Sequence, residues 1–208
     1  MLPFRFYPIT DRLHSRGDPL ALLPRLAERG LKALQIREKD MAPGALFTYC
    51  RQIQEAMGEG AAGVRLFLND RADLALSLGF AGAHLREDSL PLERQPAPLR
   101  AALSFGVSTH SLESVLAAEA AGADFAVFGP VYATPSKANH GEPVGLKSLE
   151  RAAAATRLPL LALGGVTPER AADCLAAGAH GVSVISALWD APDPLAALEA
   201  FRAALGEL

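Results

Sequence analysis

The sequence is poor in cysteine and lacks any long basic or apolar stretch. Its two cysteines, Cys50 and Cys174, are isolated in predicted helices, so we expect small buried side chains rather than a redox or metal pair. The net charge is −3 without a basic block, which argues against a nucleic-acid partner. No apolar run approaches the roughly 18 residues of a membrane span, and the N-terminus lacks the features of a signal peptide. We therefore expect a soluble cytosolic protein.

Hydrophobic residues make up 50% of the 208 residues, enough to bury a substantial core. We find no interior linker or low-complexity stretch, and we assign one domain to residues 1–208. Short apolar runs typical of buried parallel strands recur along this length. They lie at residues 4–10, 33–37, 65–69, 83–85, 104–108, 125–128, 160–163 and 181–185.

Amphipathic segments rich in Ala and Leu separate these runs and predict helices. The clearest are residues 19–29, 43–57, 71–78, 111–121, 167–177 and 194–205. Gly30, Gly122 and Gly178 each follow such a segment, as C-terminal helix caps do. Eight repeated strand–helix units of about 25 residues predict an α/β fold of the (β/α)₈ barrel type. An open, doubly wound sheet is the alternative.

In such a barrel the chemistry lies at the carboxyl ends of the strands. The second predicted strand ends in Gln35, Arg37 and Lys39, which share one face because side chains alternate along a strand. Two cations at a barrel mouth call for an anionic partner. The alternative is a cluster of salt bridges with Glu38 and Asp40.

Asp70 follows the third predicted strand, where its carboxylate could hold Mg²⁺. It could equally cap the helix that starts at Arg71. His110, after the fifth strand, is a candidate general acid or base, although a structural, hydrogen-bonded histidine is the more common case.

The sixth predicted strand is followed by residues 129–137, Gly-Pro-Val-Tyr-Ala-Thr-Pro-Ser-Lys. Hydroxyls, free backbone N–H groups and an ammonium suit an anion such as phosphate, although an ordinary turn has a similar composition. Gly164 and Gly165 follow strand seven and Ser186 follows strand eight, the usual position of a phosphate site in this barrel. A simple Gly-Gly turn before Thr167 is the alternative.

Taken together, these segments resemble the thiamine phosphate synthase superfamily, which includes the TenI-like thiazole tautomerases. The resemblance runs from residue 7 to residue 186. It rests on residues 35–39 (Gln-Ile-Arg-Glu-Lys), 69–73 (Asn-Asp-Arg-Ala-Asp), 82–85 (Gly-Ala-His-Leu), 108–111 (Ser-Thr-His-Ser), 129–137 and 164–166 (Gly-Gly-Val). It implies a (β/α)₈ barrel that condenses hydroxymethylpyrimidine diphosphate with thiazole phosphate, using Mg²⁺ and releasing pyrophosphate.

The resemblance also implies roles for particular residues. Those expected to hold the diphosphate are Gln35, Arg37, Lys39, Asn69 and Lys137. Asp70 would carry Mg²⁺ and Ser108 would face the pyrimidine. Those expected to receive the thiazole phosphate are Thr134, Ser136, Gly165, Val184, Ile185 and Ser186. Among these residues, Arg37, Lys39, Lys137 and Ser108 are expected to act on the transition state.

The sequence departs from the synthase pattern after the fourth strand, where the second Mg²⁺ ligand of synthases is an acid. The aligned residue here is Ser89, a much weaker ligand, with Asp88 or Glu87 as substitutes after a local shift. This departure resembles the tautomerases. However, tautomerases carry a histidine where this chain has Pro130, and they often lose the acid equivalent to Asp70.

On balance the sequence predicts a synthase. The alternatives are a tautomerase, a phosphate-binding regulatory barrel without activity, and an unrelated sugar-phosphate isomerase on the same fold. Assembly as a homodimer stays open.

Overall fold

A computed structural model of the protein describes residues 2–134 and 142–207. Eight parallel strands form one sheet in the order β1-β8-β7-β6-β5-β4-β3-β2. They are β1 (Phe6–Pro8), β2 (Ala33–Ile36), β3 (Arg65–Asn69), β4 (Gly82–Leu85), β5 (Ser104–Thr109), β6 (Phe125–Phe128), β7 (Leu160–Ala162) and β8 (Gly181–Val184). The sheet closes where Ile9, just beyond β1, forms a bridge with Gln35. The predicted (β/α)₈ barrel is therefore confirmed.

Helices alternate with these strands around the barrel. They are α1 (Pro19–Glu28), α2 (Pro43–Met57), α3 (Ala72–Ser77), α4 (Ala97–Ala102), α5 (Leu112–Ala120), α6 (Gly145–Ala155), α7 (Pro168–Ala176), α8 (Ser186–Trp189) and α9 (Pro194–Ala204). Two 3₁₀ turns lie at Gly58–Gly63 and Leu92–Arg94. None of the helices in the described part of the chain is long and apolar enough to cross a membrane.

Local sequence signals determine where several helices begin and end. The Asp18 and Asp193 carboxylates accept hydrogen bonds from backbone N–H groups in the first turns of α1 and α9, as N-caps do. Gly30 and Gly178 follow helices with φ of 85° and 89°, the left-handed conformation in which glycine avoids a steric cost. These caps set the short turns that return the chain to each strand.

The main hydrophobic layer lies between the barrel and its helices and includes both cysteines, which are fully buried as predicted. A second cluster fills the lower barrel interior. There the Tyr7 and Phe125 rings meet edge to face, with centroids 5.3 Å apart, and Phe67 packs against both at similar angles. This aromatic layer fills the barrel interior with packed side chains.

Candidate active site

A cavity of about 700 Å³ opens at the carboxyl ends of the strands. This is within the usual range for a small-molecule site. The predicted site residues on its wall are Gln35, Arg37, Lys39, Asn69, Asp88, Ser108, Thr134, Gly165, Val184, Ile185 and Ser186. Ser136 and Lys137 lie outside the described residues. The fold thus brings together side chains from most of the chain length.

Arg37, just beyond the end of β2, lines the cavity, whereas its neighbour Glu38 is buried. The Glu38 carboxylate accepts a 2.6 Å hydrogen bond from the Thr10 hydroxyl and a 3.2 Å bond from the Arg12 amide. The Arg37 amide donates in turn to the Thr10 oxygen at 2.9 Å. This network fixes the backbone at the point where the side chains turn towards the cavity.

For Arg37, the predicted salt bridges with Glu38 and Asp40 are not what the structure shows. Glu38 and Asp40 both pair with Arg12, which the sequence analysis did not consider. The Arg37 guanidinium lies 3.7 Å from the Asp11 carboxylate, a long ion pair. Burial is the main cause that lowers the pKa of Arg37, and the nearby Arg86 cation adds to this lowering. A bound anion would relieve both unfavourable effects.

Asp70 follows β3 with a φ of 61°, a left-handed conformation that is uncommon outside glycine. Its carboxylate accepts a hydrogen bond from the Ser89 hydroxyl and lies 3.8 Å from the Arg86 guanidinium. The residue at the start of α3 is Arg71, and no side chain caps that helix. The capping alternative for Asp70 is therefore wrong, and its carboxylate faces the loop after β4 instead.

Asp88, the doubtful second metal ligand, pairs with Arg86 at 3.1 Å, and its side chain is 73% exposed. Ser89, which aligns with the synthase acid, is the residue that contacts Asp70. No group of three or more His, Cys, Asp or Glu side chains within residues 2–134 and 142–207 has the arrangement of a metal site. Asp70 thus has the Ser89 hydroxyl as its hydrogen-bonding neighbour, and it shares Arg86 with Asp88.

Beneath the cavity, His84 on β4 lies 3.0 Å from the Ser108 hydroxyl through its Nε2 atom. Burial, and secondly the charge of Arg37, lowers the pKa of His84 to about 3, so the ring is neutral. Its Nδ1 atom has no hydrogen-bond partner among the described residues. A buried bare acceptor costs less than a buried unpaired N–H, which favours the tautomer that donates from Nε2 to Ser108.

Gln35 also has a buried polar atom without a hydrogen-bond partner among the described residues. It is 1% exposed, and its amide nitrogen has no partner within the part of the chain that the structure describes. Because a buried donor without an acceptor is costly, this amide points to a ligand oxygen or nitrogen. Ser108 and Gln35 together form a polar wall above the aromatic layer.

The opposite side of the cavity is built from backbone. Gly164 and Gly165 have φ of 97° and 62°, and a Cβ on Gly165 would lie 2.5 Å from the Ala133 carbonyl oxygen. The Arg170 guanidinium donates to the Gly165 carbonyl at 2.7 Å and lies over the Tyr132 ring. The glycine pair is therefore packed tightly under the loop after β6, which is more than a simple turn requires.

His110 lies at the edge of this cavity, next to the loop after β6. Its Nδ1 atom hydrogen-bonds the Gly129 carbonyl, and its Nε2 atom lies 3.8 Å from the Glu87 carboxylate. The contact with Gly129 is a structural one, as the sequence analysis considered most common for such a histidine.

Comparison with known proteins identifies the family. A profile of the thiamine monophosphate synthase family matches residues 6–188. The chain belongs to this family. A putative thiamine-phosphate synthase of Geobacter sulfurreducens is 41% identical over 192 residues, covering 92% of this chain and 89% of the relative. A thiamine-phosphate synthase of Roseiflexus castenholzii is 39% identical over 201 residues, covering 93% and 85%.

Solved structures agree with this assignment. The thiamine phosphate pyrophosphorylase of Pyrococcus furiosus has a TM-score of 0.84 and 29% identity, covering 98% of this chain and 96% of its own. The enzyme of the same description from Bacteroides thetaiotaomicron, at 20% identity and a TM-score of 0.70, supports the fold alone. The predicted family, the barrel fold and the synthase-type transferase function are confirmed.

Several residues of this site escaped the sequence analysis or received no role there. Arg86 and Arg170 line the cavity, and His84 contacts Ser108. Arg86 directly follows a predicted strand and His84 lies in a family motif, whereas Arg170, inside a predicted helix, carried no such signal. The predicted roles of individual site residues and of Mg²⁺ stay predictions.

Proposed function

We propose that this cavity joins hydroxymethylpyrimidine diphosphate to thiazole phosphate. The C–O bond to the diphosphate breaks, a C–N bond to the thiazole nitrogen forms, and thiamine phosphate and pyrophosphate result. The observation that carries this proposal is the division of one cavity into a cationic side at β2–β4 and a glycine-rich side at β7–β8. Two phosphorylated substrates fit such a division.

The diphosphate belongs on the cationic side, with Arg37, Lys39, Asn69 and the Gln35 amide. Lys137, from outside the described residues, is proposed to join them. Negative charge grows on the diphosphate as the C–O bond breaks. Cations here therefore stabilise the transition state more than the bound substrate. The proposed chemistry requires no protein nucleophile.

Mg²⁺ would be held by Asp70, with waters and diphosphate oxygens as its remaining ligands. A carboxylate with an adjacent hydroxyl fits this hard cation, which is commonly bound by one or two carboxylates and substrate phosphates. When bound, the ion would supply further positive charge for the leaving group. Asp88 is a weaker candidate because its carboxylate pairs with Arg86.

The thiazole phosphate belongs on the glycine-rich side, where Gly165 permits close approach to the backbone. Thr134, Val184, Ile185 and Ser186 line this part of the cavity, and Ser136 is proposed to contribute from outside the described residues. Between the two sides, the Ser108 hydroxyl receives its hydrogen bond from His84 and is free to donate to a pyrimidine nitrogen.

The test is to mix both substrates with Mg²⁺ and follow thiamine phosphate and pyrophosphate together. The proposal expects one pyrophosphate for each thiamine phosphate, and no product when either substrate is omitted. Binding of thiazole phosphate without any turnover would instead indicate a regulatory barrel. Conversion of the thiazole alone would indicate a tautomerase.

A further inference from the structure

Arg86 is a cavity cation that the proposed chemistry does not use. It follows β4 directly and lines the same cavity as Arg37 and Lys39. Its side chain is 37% exposed, so the guanidinium is neither buried in the protein nor fully solvated. Its backbone N–H donates to the Ser89 hydroxyl at 2.8 Å, and this bond anchors the start of the loop.

The guanidinium stands between two acids and another cation. Asp88 lies 3.1 Å from its Nε atom and Asp70 lies 3.8 Å from a terminal nitrogen. Arg86 is also near enough to Arg37 to act on it electrostatically. Two guanidinium groups facing one cavity repel each other unless an anion lies between them. Both Asp88 carboxylate oxygens pair with this guanidinium, at 3.1 Å from Nε and 3.2 Å from a terminal nitrogen. The same planar fork suits two phosphate oxygens at once.

The neighbouring Ser89 makes this placement more significant. The hydrogen-bonding neighbour of the Asp70 carboxylate is the neutral Ser89 hydroxyl, which adds no negative charge that would attract a metal. Arg86 adds a fixed positive charge at the same place. We propose that Arg86 is a further ligand of the diphosphate, one that lets this site bind pyrophosphate without a metal ion.

This inference rests on the proposed function, because it assumes that the cationic side receives a diphosphate. The experiment titrates inorganic pyrophosphate, by calorimetry in EDTA at low ionic strength, into the wild type and Arg86→Gln. Loss of a charge-assisted hydrogen bond should weaken metal-free binding roughly ten- to a hundredfold. Arg51→Gln removes the same charge from the exposed face of α2 and should change binding less than about twofold.

Two further variants keep the test decisive if Arg86→Gln folds poorly. Arg86→Lys keeps the charge and should recover part of the affinity. Asp88→Asn removes the acid that competes for Arg86, and it should strengthen metal-free binding at least about twofold.

Equal binding by the wild type and Arg86→Gln, or weaker binding by Asp88→Asn, would overturn the inference. A wild type that binds no pyrophosphate in EDTA but binds it when Mg²⁺ is added would overturn the inference alone. A wild type that binds none under either condition would overturn the diphosphate site as well. Arg86-dependent binding without thiamine phosphate formation would overturn the proposed function alone.

Discussion

The β2–β4 side of the cavity presents charged side chains, whereas the β7–β8 side presents mainly backbone and small residues, with the Arg170 guanidinium bonded to the Gly165 carbonyl. On the first side the Arg86 guanidinium lies 3.8 Å from the Asp70 carboxylate and acts on Arg37 through its charge. On the second side, Gly164 and Gly165 hold left-handed backbone against the loop after β6. The first arrangement suits a group whose charge changes during reaction, and the second suits a phosphate that only has to be held.

The largest expected effect comes from a substitution at Arg37, on the charged side of the cavity. Arg37→Ala should lower turnover about a hundredfold or more, since it removes a cation aimed at developing charge. Pyrophosphate binding should weaken while binding of the thiazole phosphate alone stays within about twofold. Steady-state kinetics and separate calorimetric titrations measure these effects. Equal losses for both ligands would show that the two sides are not independent.

On the other side, Gly165→Ala should weaken thiazole phosphate binding about tenfold and leave pyrophosphate binding unchanged. The added methyl would lie 2.5 Å from the Ala133 carbonyl oxygen at a φ of 62°, which costs roughly 1–3 kcal/mol of stability. Gly44→Ala is the matched control, because a Cβ there meets nothing within 4 Å. A variant with wild-type thiazole phosphate affinity would contradict the glycine-side assignment.

Ser89→Asp would make the cationic side more dependent on metal. The new acid would stand beside Asp70, and two neighbouring carboxylates should strengthen Mg²⁺ binding to the free protein several-fold. Turnover at limiting Mg²⁺ should rise accordingly. Turnover against Mg²⁺ concentration measures this, with Ser89→Ala as the uncharged control. A wild-type curve already saturated at micromolar Mg²⁺ would mean that Asp88 or Glu87 serves as the second ligand.

His84, buried beneath the cavity, should give a smaller effect, on the pH dependence of the free energy of unfolding. Above about pH 6.5, His84 is neutral in both the folded and the unfolded chain. As the pH falls towards 4, the unfolded histidine takes up a proton while the buried ring, whose pKa is lowered to about 3, does not. The free energy of unfolding should therefore fall by about 1.4 kcal/mol per pH unit from this residue alone.

His84→Gln should show a correspondingly shallower slope of unfolding free energy between about pH 5.5 and pH 4, measured by denaturant titration. Equal slopes for the wild type and His84→Gln would mean that the ring is protonated in the folded protein.

Much of the fold could be predicted because its signals are local. The predicted strands at residues 65–69 and 125–128 match β3 and β6 at both ends. The run at 4–10 was predicted too long, since the register with β8 ends at Pro8 and only the Ile9 bridge continues. α4 was missed because it buries no side chain and so shows no apolar face.

The site was predictable as a set of residues but not as a set of contacts. Strand alternation and family motifs placed Gln35, Arg37 and Ser108 at the cavity. The partner of Glu38 proved to be Arg12, 26 residues away in the chain. Such pairings depend on how neighbouring strands align in space, which no local pattern encodes.

The separation of the two anion sites is the central claim, and a single pair of titrations tests it most directly. Thiazole phosphate is titrated calorimetrically into the wild-type protein, first alone and then with saturating pyrophosphate and Mg²⁺. If the two sides bind different anions, both ligands bind together and the thiazole phosphate affinity changes by less than about threefold. Loss of thiazole phosphate binding in the presence of pyrophosphate would contradict the account.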